Sequence, residues 1–83
     1  MSTISIIIPR GGRPKKHSFV LPPHITRLSG AIEWLAGELH TAPEEILVNN
    51  VVIIDNAMVR WTEEDPVLKE GSYIKLAPLM TGG

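Results

Sequence analysis

Residues 28–39 read LSGAIEWLAGEL and contain the clearest helical pattern in this 83-residue chain. The apolar residues recur at steps of four, three and four: Leu28, Ile32, Leu35 and Leu39. This spacing places them on one face of an α-helix, where side chains three and four residues apart are neighbours. We therefore predict one amphipathic helix, and the segments on either side of it decide the rest of the fold.

Polar residues mark the ends of this helix. Thr26 or Ser29 can cap its start, and His40 lies near its C-terminal end, where a positive charge suits the helix dipole. Gly30 and Gly37 each cost about 1 kcal/mol relative to alanine inside a helix. We expect tight packing against a sheet to explain these two glycines.

Two β-rich segments precede the helix. Residues 3–8 (TISIII) and 16–21 (KHSFVL) predict a strand and its return strand, because they are rich in β-branched and alternating residues. Residues 9–14 (PRGGRP) carry two prolines around a Gly-Gly pair and predict the turn between them. Pro22 and Pro23 end the second strand, since neither donates a ladder hydrogen bond.

The segment just after the helix predicts a short turn and a pair of strands. Residues 41–44 have the spacing of a capping box and predict one helical turn through Glu45. Residues 46–48 (ILV) and 51–54 (VVII) then predict two strands, separated by a turn or bulge at Asn49 and Asn50.

The last third of the chain predicts two more strands. A turn at residues 55–57 leads to a short strand at residues 58–61, which is followed by an exposed acidic loop at residues 62–66. Residues 72–77 (SYIKLA) alternate, with Tyr73 and Lys75 on one side and Ile74 and Leu76 on the other, and Pro78 ends this final strand.

The order of hairpin, helix and further strands predicts an α+β fold. A small mixed sheet with one main helix packed across one face is the simplest two-layer arrangement. We expect the first and last strands to lie side by side, which is a ubiquitin-like β-grasp layout. Residues 1–78 would form a single domain, followed by a flexible C-terminal tail at residues 79–83.

Composition excludes several functions. With 43% hydrophobic and 20% charged residues the chain is typical of a soluble globular domain, and it contains no cysteine. A disulfide, a thiolate zinc site, an iron–sulfur cluster and thiol chemistry are therefore excluded. No apolar run is long enough to span a bilayer, and no signal-peptide pattern is present. We expect a cytoplasmic protein without membrane contact.

The charges are distributed unevenly along the sequence. Residues 1–27 contain five basic residues and no acid, whereas all nine acidic residues lie between Glu33 and Glu70. Four of these bases fall in the turn from Arg10 to Lys16, which predicts a solvated turn first and a docking surface for a partner second. The turn has no interleaved aromatic residue, and this argues against a nucleic-acid site.

Residue types that carry catalysis or bind metals show no productive pattern. The histidines have no ligand-like spacing: His17, His24 and His40. We therefore predict no metal site. No serine has the glycine context of a nucleophile elbow, and no burial signal surrounds the carboxylates. Trp34 and Trp61 fit either half-buried core positions or anchors for a protein partner.

Residues 70–83 (EGSYIKLAPLMTGG) resemble the β-grasp sulfur-carrier family, which includes the small subunit of molybdopterin synthase and the thiazole-biosynthesis sulfur carrier. The shared features are an acidic-Gly turn, an alternating last strand, a proline and a terminal Gly-Gly. Residues 48–50 (VNN) also resemble the Val-Asn-Gly segment of that family. Asn50, Ser72 and Leu79 depart from its commoner residues, which leaves the recipient pathway open.

The resemblance implies a carrier that is not itself an enzyme. A ubiquitin-activator-like adenylating enzyme would use ATP and magnesium to adenylate Gly83, and a sulfur donor would convert the carboxylate to a thiocarboxylate. The tail would then deliver sulfur to a recipient synthase in cofactor biosynthesis, and the chain itself would bind no cofactor. An exposed sheet face would contact the activating enzyme. The residues implied in insertion of the tail are Leu79, Met80, Thr81 and Gly82.

Two alternatives remain open. The same tail suits a ubiquitin-like modifier that is joined through Gly83 to lysines of target proteins. A binding module without conjugation, which uses the basic turn from Arg10 to Lys16, is the third reading. Glycine has no side chain, so a backbone that ends in Gly-Gly can enter a narrow channel. This favours the sulfur carrier and the ubiquitin-like modifier, which both use the tail.

Overall fold

The computed structural model describes residues 1–10 and 12–79 and shows an α+β fold. The elements in chain order are β1 (Thr3–Arg10), β2 (Arg13–Val20), α1 (Leu28–Leu39), α2 (Pro43–Asn49), β3 (Asn50–Ile54), β4 (Ala57–Val59) and β5 (Tyr73–Pro78). The strands form one five-stranded mixed sheet in the order β2-β1-β5-β3-β4. β1 and β5 are parallel neighbours, and the other pairs are antiparallel. The expected pairing of the first and last strands is confirmed.

The core lies between α1 and one face of the sheet. Alternation in the strands directs Ile4, Ile74 and Leu76 into this layer, and all three are fully buried. The helix contributes Leu28, Ile32 and Leu35 of the predicted stripe, while Leu39 is partly buried at its edge. Burial of each large aliphatic side chain stabilises the fold by about 2 kcal/mol, so this layer is the main source of stability.

Both tryptophans pack against this core. Trp34 is half-buried, and its ring lies edge-on to Phe19 of β2 with the ring centroids 5.9 Å apart. Trp61 is also half-buried and packs against the same cluster. Of the two interpretations of the sequence, the core position is therefore the one that the packing favours.

The N-terminal hairpin is longer and its turn shorter than predicted. The ladder continues through Pro9 opposite Pro14 and Arg10 opposite Arg13, so these four residues belong to the strands and not to the predicted turn. Gly12 has φ of +80°, a conformation that favours glycine. The prolines are tolerated because β2 is an edge strand and Pro9 lies beyond the part of β1 that pairs with β5.

The predicted strand at residues 46–48 is wrong, because these residues lie in α2. Pro43 occupies the first turn of this helix and Glu44 and Glu45 follow it, a favourable arrangement at a helix N-terminus. Ile46 is buried in the core, whereas Val48 is exposed. The expected capping box and the end at Glu45 are also wrong: the N-cap is Ala42 without a side-chain hydrogen bond, and the helix continues to Asn49.

The later strands largely agree with the sequence pattern. Asp55 and Asn56 have φ of 49° and 70° and form the predicted turn between β3 and β4. β4 is shorter than expected, so that Arg60 and Trp61 lie outside it. In β5, Tyr73 and Lys75 are exposed while Ile74 and Leu76 are buried, as predicted.

The two helical glycines do not pack tightly against the sheet. Gly37 is exposed, and a Cβ atom built there would meet nothing within 4 Å. At Gly30 the nearest atom to such a Cβ is Cγ2 of Ile25, at an ordinary contact distance of 3.5 Å. The prediction of close sheet contact at these positions is wrong, and nothing in the described residues requires glycine there.

Helix α1 is capped from a distant loop. Its N-cap residue is Arg27, without a side-chain cap, so the predicted caps Thr26 and Ser29 are wrong. Instead, the carboxylate of Asp65 accepts hydrogen bonds from the backbone N–H and the hydroxyl of Ser29, each at 2.8 Å. The backbone and hydroxyl hydrogen bonds from Ser29, followed by the charge of Arg27, lower the pKa of the Asp65 carboxyl.

Replacing Asp65 with alanine is expected to lower the free energy of unfolding by about 1 kcal/mol near neutral pH, the usual effect of losing a helix cap. Because the folded-state pKa lies below the unfolded value of about 3.9, the stabilisation is present above that pH. It is lost as the pH falls through the folded-state pKa. Urea unfolding of both proteins at neutral and acidic pH measures this difference.

The neighbouring substitution Glu64→Ala is the matched control, because Glu64 is an exposed acid in the same loop. We expect its effect to stay within about 0.5 kcal/mol at either pH. An Asp65→Ala effect that stayed constant down to acidic pH would contradict the capping role of the ionised carboxylate.

Candidate functional site

The root of the C-terminal tail is anchored at the end of the sheet. β5 ends at Pro78, and the backbone N–H of Leu79 donates to the carbonyl oxygen of Asn49 at 3.0 Å. The Leu79 residue is 51% exposed. The other predicted tail positions lie outside the described residues: Met80, Thr81, Gly82 and Gly83. Of the five predicted tail residues, Leu79 is therefore the one whose contacts the structure describes.

Two asparagines hold the carbonyl group that receives Leu79. The side-chain amide of Asn49 donates to the Glu45 carbonyl oxygen, and that of Asn50 donates to the Ile46 carbonyl oxygen, both at 2.8 Å. Asn50 is only 8% exposed and is the C-cap of α2. The predicted Asn turn or bulge is wrong, because these amides close the end of a helix and fix the position of the tail root.

This role of the asparagines could not be read from the local pattern. The signal was their position at the end of a helix, four residues after Glu45 and Ile46, from which a side-chain amide can reach back to the carbonyl oxygen one turn earlier. It becomes informative only when residues 46–48 are recognised as helical. The contact between α2 and the tail root could not be predicted, because residues 46–48 were predicted to form a strand.

An open cleft lies beside the tail root. β1 and β5 pair from Thr3 opposite Tyr73 to Ile6 opposite Leu76, and β5 then continues along β3 alone. The cleft between the separating strands has a volume of about 420 Å³ and is closed below by the helices. Its walls are mainly apolar: Ile6, Ile7, Ile8, Leu39, Thr41, Glu45, Ile46, Asn49, Asn50, Pro78 and Leu79.

The sheet face opposite α1 combines apolar and basic side chains. We call it the open face, formed by the strand residues whose side chains alternate away from the core: Thr3, Ser5, Ile7, Lys16, Ser18, Val20, Val51, Ile53, Met58, Tyr73, Lys75 and Ala77. Met58 is 72% exposed and Val20 56% exposed. Exposed methionine and other large apolar side chains are typical of a surface that contacts another protein.

Tyr73 organises the centre of this face. Its hydroxyl lies 3.0 Å from the hydroxyl of Ser5, and the ammonium group of Lys16 lies 5.7 Å from its ring centroid. The hydrogen bond with Ser5, followed by the interaction with Lys16, lowers the pKa of the tyrosine hydroxyl. Its backbone N–H donates to Asp55 at 2.9 Å, which ties β5 to the turn between β3 and β4.

The other candidate residues from the sequence are not brought together. His17, His24 and His40 lie on β2, in the link before α1 and at the C-cap of α1, respectively. Within residues 1–10 and 12–79, no group of three or more His, Asp or Glu side chains is arranged to hold a metal ion. No helix in that part of the chain is long and apolar enough to cross a membrane.

No protein-family model, curated protein or solved structure matches this chain.

Proposed function

We propose that this chain is a β-grasp sulfur carrier whose Gly83 carboxylate is activated and converted to a thiocarboxylate. The observation that carries the proposal is the sheet order β2-β1-β5-β3-β4, with β1 parallel to β5 and the Gly82-Gly83 tail following β5. This order of strands around one main helix supports the β-grasp assignment. The chain acts as a protein substrate, and separate enzymes provide the catalysis.

The chemistry takes place at the tail. On the adenylating enzyme, an oxygen of the Gly83 carboxylate attacks the α-phosphorus of ATP, and magnesium pyrophosphate leaves. A hydrosulfide-level sulfur donor then attacks the acyl carbon, AMP leaves with the bonding electrons, and the thiocarboxylate forms. Gly82 and Gly83 suit this step because a backbone without side chains fits a narrow channel. The recipient synthase takes the sulfur, and water restores the carboxylate.

The anchored root of the tail supports this role. The hydrogen bond between Leu79 and Asn49 fixes where the chain leaves the domain, four residues before Gly83 in the sequence. Leu79 and Met80 would provide the apolar contacts at the entrance of the channel, followed by Thr81. The open face, with its exposed Met58 and Val20, is the proposed contact surface for the adenylating enzyme.

The test is co-expression of the chain with candidate adenylating enzymes and sulfur donors, followed by intact mass measurement in the cytoplasmic fraction. We expect the mass gain of one oxygen-to-sulfur exchange, located at Gly83 by fragmentation. An unchanged mass in the presence of an adenylating enzyme that binds the chain would overturn the proposal. Lysine adducts that retain a Gly-Gly remnant would instead assign the chain as a ubiquitin-like modifier.

A further inference from the structure

The end of the N-terminal hairpin extends beyond the five-stranded part of the sheet. β1 pairs with β5 only through Ile6, so that residues 7–10 pair with residues 13–16 of β2 alone. We call these two segments the basic ribbon. Because β1 and β5 are parallel, the ribbon projects from the same end of the sheet at which β5 ends.

The ribbon carries an unbalanced positive charge. It contains Arg10, Arg13, Lys15 and Lys16, and no acidic residue is present in residues 1–27. The last three of these residues are exposed. Among residues 1–10 and 12–79, the ion pairs join the Met1 amino group with Glu70 and Arg60 with Glu63. Within these residues, Arg13, Lys15 and Lys16 therefore form no ion pair with a carboxylate.

Protection of the sheet edge does not account for this charge. β2 is an edge strand, and lysine and proline on such strands prevent pairing with other chains. Charges of either sign serve that purpose, and mixed charges would serve it without internal repulsion. Here Arg13, Lys15 and Lys16 place three positive charges within four residues of β2, and like charges so close together repel each other and lower stability. This cost indicates that the positive sign itself has a use.

We propose that the basic ribbon docks into an acidic groove on a protein partner. Successive strand residues point to opposite faces, so Lys15 and Lys16 present charge on both sides of the ribbon. A groove that lines both sides with carboxylates matches this distribution better than a flat surface does. The inference stands independently of thiocarboxylate formation, since it needs no reaction at Gly83.

A protein partner fits the surroundings better than a nucleic acid does. The ribbon itself has no aromatic side chain on which a base could stack, and the ammonium group of Lys16 lies over the neighbouring Tyr73 ring, 5.7 Å from its centroid. The open face continues from the ribbon at Ile7 and Lys16 and also carries Val20 at the other end of β2 and Met58 on β4, apolar side chains that a protein can cover. The nine acidic residues elsewhere in the chain also repel a long polyanion, whereas a local acidic groove meets mainly the ribbon.

The test compares two charge reversals that change the net charge equally. Lys15→Glu/Lys16→Glu alters the ribbon, and Arg60→Glu/Lys69→Glu alters exposed cations outside it. The probe is a fluorescent polyglutamate peptide, and its anisotropy is measured with the full chain at low salt. We expect the ribbon variant to bind at least about tenfold more weakly than the unaltered chain, and the control variant to stay within about threefold. Added salt should weaken binding of the unaltered chain.

Further outcomes make the test decisive. Equal weakening in both variants would show a net-charge effect and overturn the proposal. Tighter binding of single-stranded oligouridine through the same lysines would assign the ribbon to nucleic acid and also overturn it. Arg13→Glu, a single change beside the turn, provides a second measurement if the double variant fails to fold. Circular dichroism checks the fold of each variant, and a failure of sulfur transfer leaves these results unaffected.

Discussion

Deletion of Gly82 and Gly83 is expected to abolish adenylation of the chain while leaving its stability unchanged. The proposed reaction needs a carboxylate at the end of a backbone that reaches the nucleotide, and truncation moves that carboxylate back to Thr81. The described fold does not depend on the deleted residues, because the sheet ends at Pro78 and the anchoring hydrogen bond is made by Leu79. ATP–pyrophosphate exchange by the adenylating enzyme measures the loss.

A variant of the same length separates the role of the terminal carboxylate from the role of a tail without side chains. Gly82→Ala/Gly83→Ala keeps the terminal carboxylate at its position but adds two methyl groups to the tail. We expect strongly reduced exchange, because a channel that fits glycine excludes Cβ atoms, and an unchanged urea midpoint. Full exchange activity in the truncated chain would contradict the assignment of Gly83 as the activated residue.

The parts of the fold that the sequence predicted well are those with long, regular patterns. The twelve-residue helix α1 and the alternation of β5 each repeat their signal over several residues, so single exceptions do not mask it. The neighbouring positions of β1 and β5 followed from the order of the elements. In these cases the local pattern and the tertiary packing favour the same structure.

The failures arise where a short segment depends on contacts that are distant in sequence. Residues 46–48 are apolar and β-branched enough for a strand, yet burial of Ile46 and the favourable start at Pro43 make them helical. The cap of α1 comes from Asp65, thirty-six residues after Ser29, and no local pattern reveals it. Propensity over three or four residues is too weak to outweigh such contacts.

The same distinction applies to the candidate site. The tail residues were predicted from a resemblance of their sequence, whereas the contact that anchors Leu79 joins it to Asn49 across thirty residues. The basic turn was visible as a cluster of charges, but its shape was not. The shape depends on the register of three strands, which places Pro9 opposite Pro14 in a ladder and makes the ribbon project beyond β5.

Leu76→Ala is expected to lower the free energy of unfolding by about 3 kcal/mol, which raises the unfolded fraction by roughly a hundredfold. Leu76 is fully buried at the centre of the sheet, where it lies between Ile6 of β1 and Val52 of β3. Removing three carbon atoms there loses their transfer free energy and leaves a cavity between strands that cannot collapse without breaking the ladder. Urea unfolding followed by tryptophan fluorescence measures the effect.

The adjacent substitution Lys75→Ala is the matched control, because it changes the same strand on the open face. We expect its effect on stability to stay within about 0.5 kcal/mol, since Lys75 is exposed. If Lys75→Ala weakened binding to the adenylating enzyme, the cause would be a lost contact at the surface. Any loss of binding in Leu76→Ala would instead follow the unfolded fraction, and it would recover on cooling or with a stabilising osmolyte. Equal destabilisation by the two variants would contradict the one-sided burial of β5 on which both the core and the open face depend.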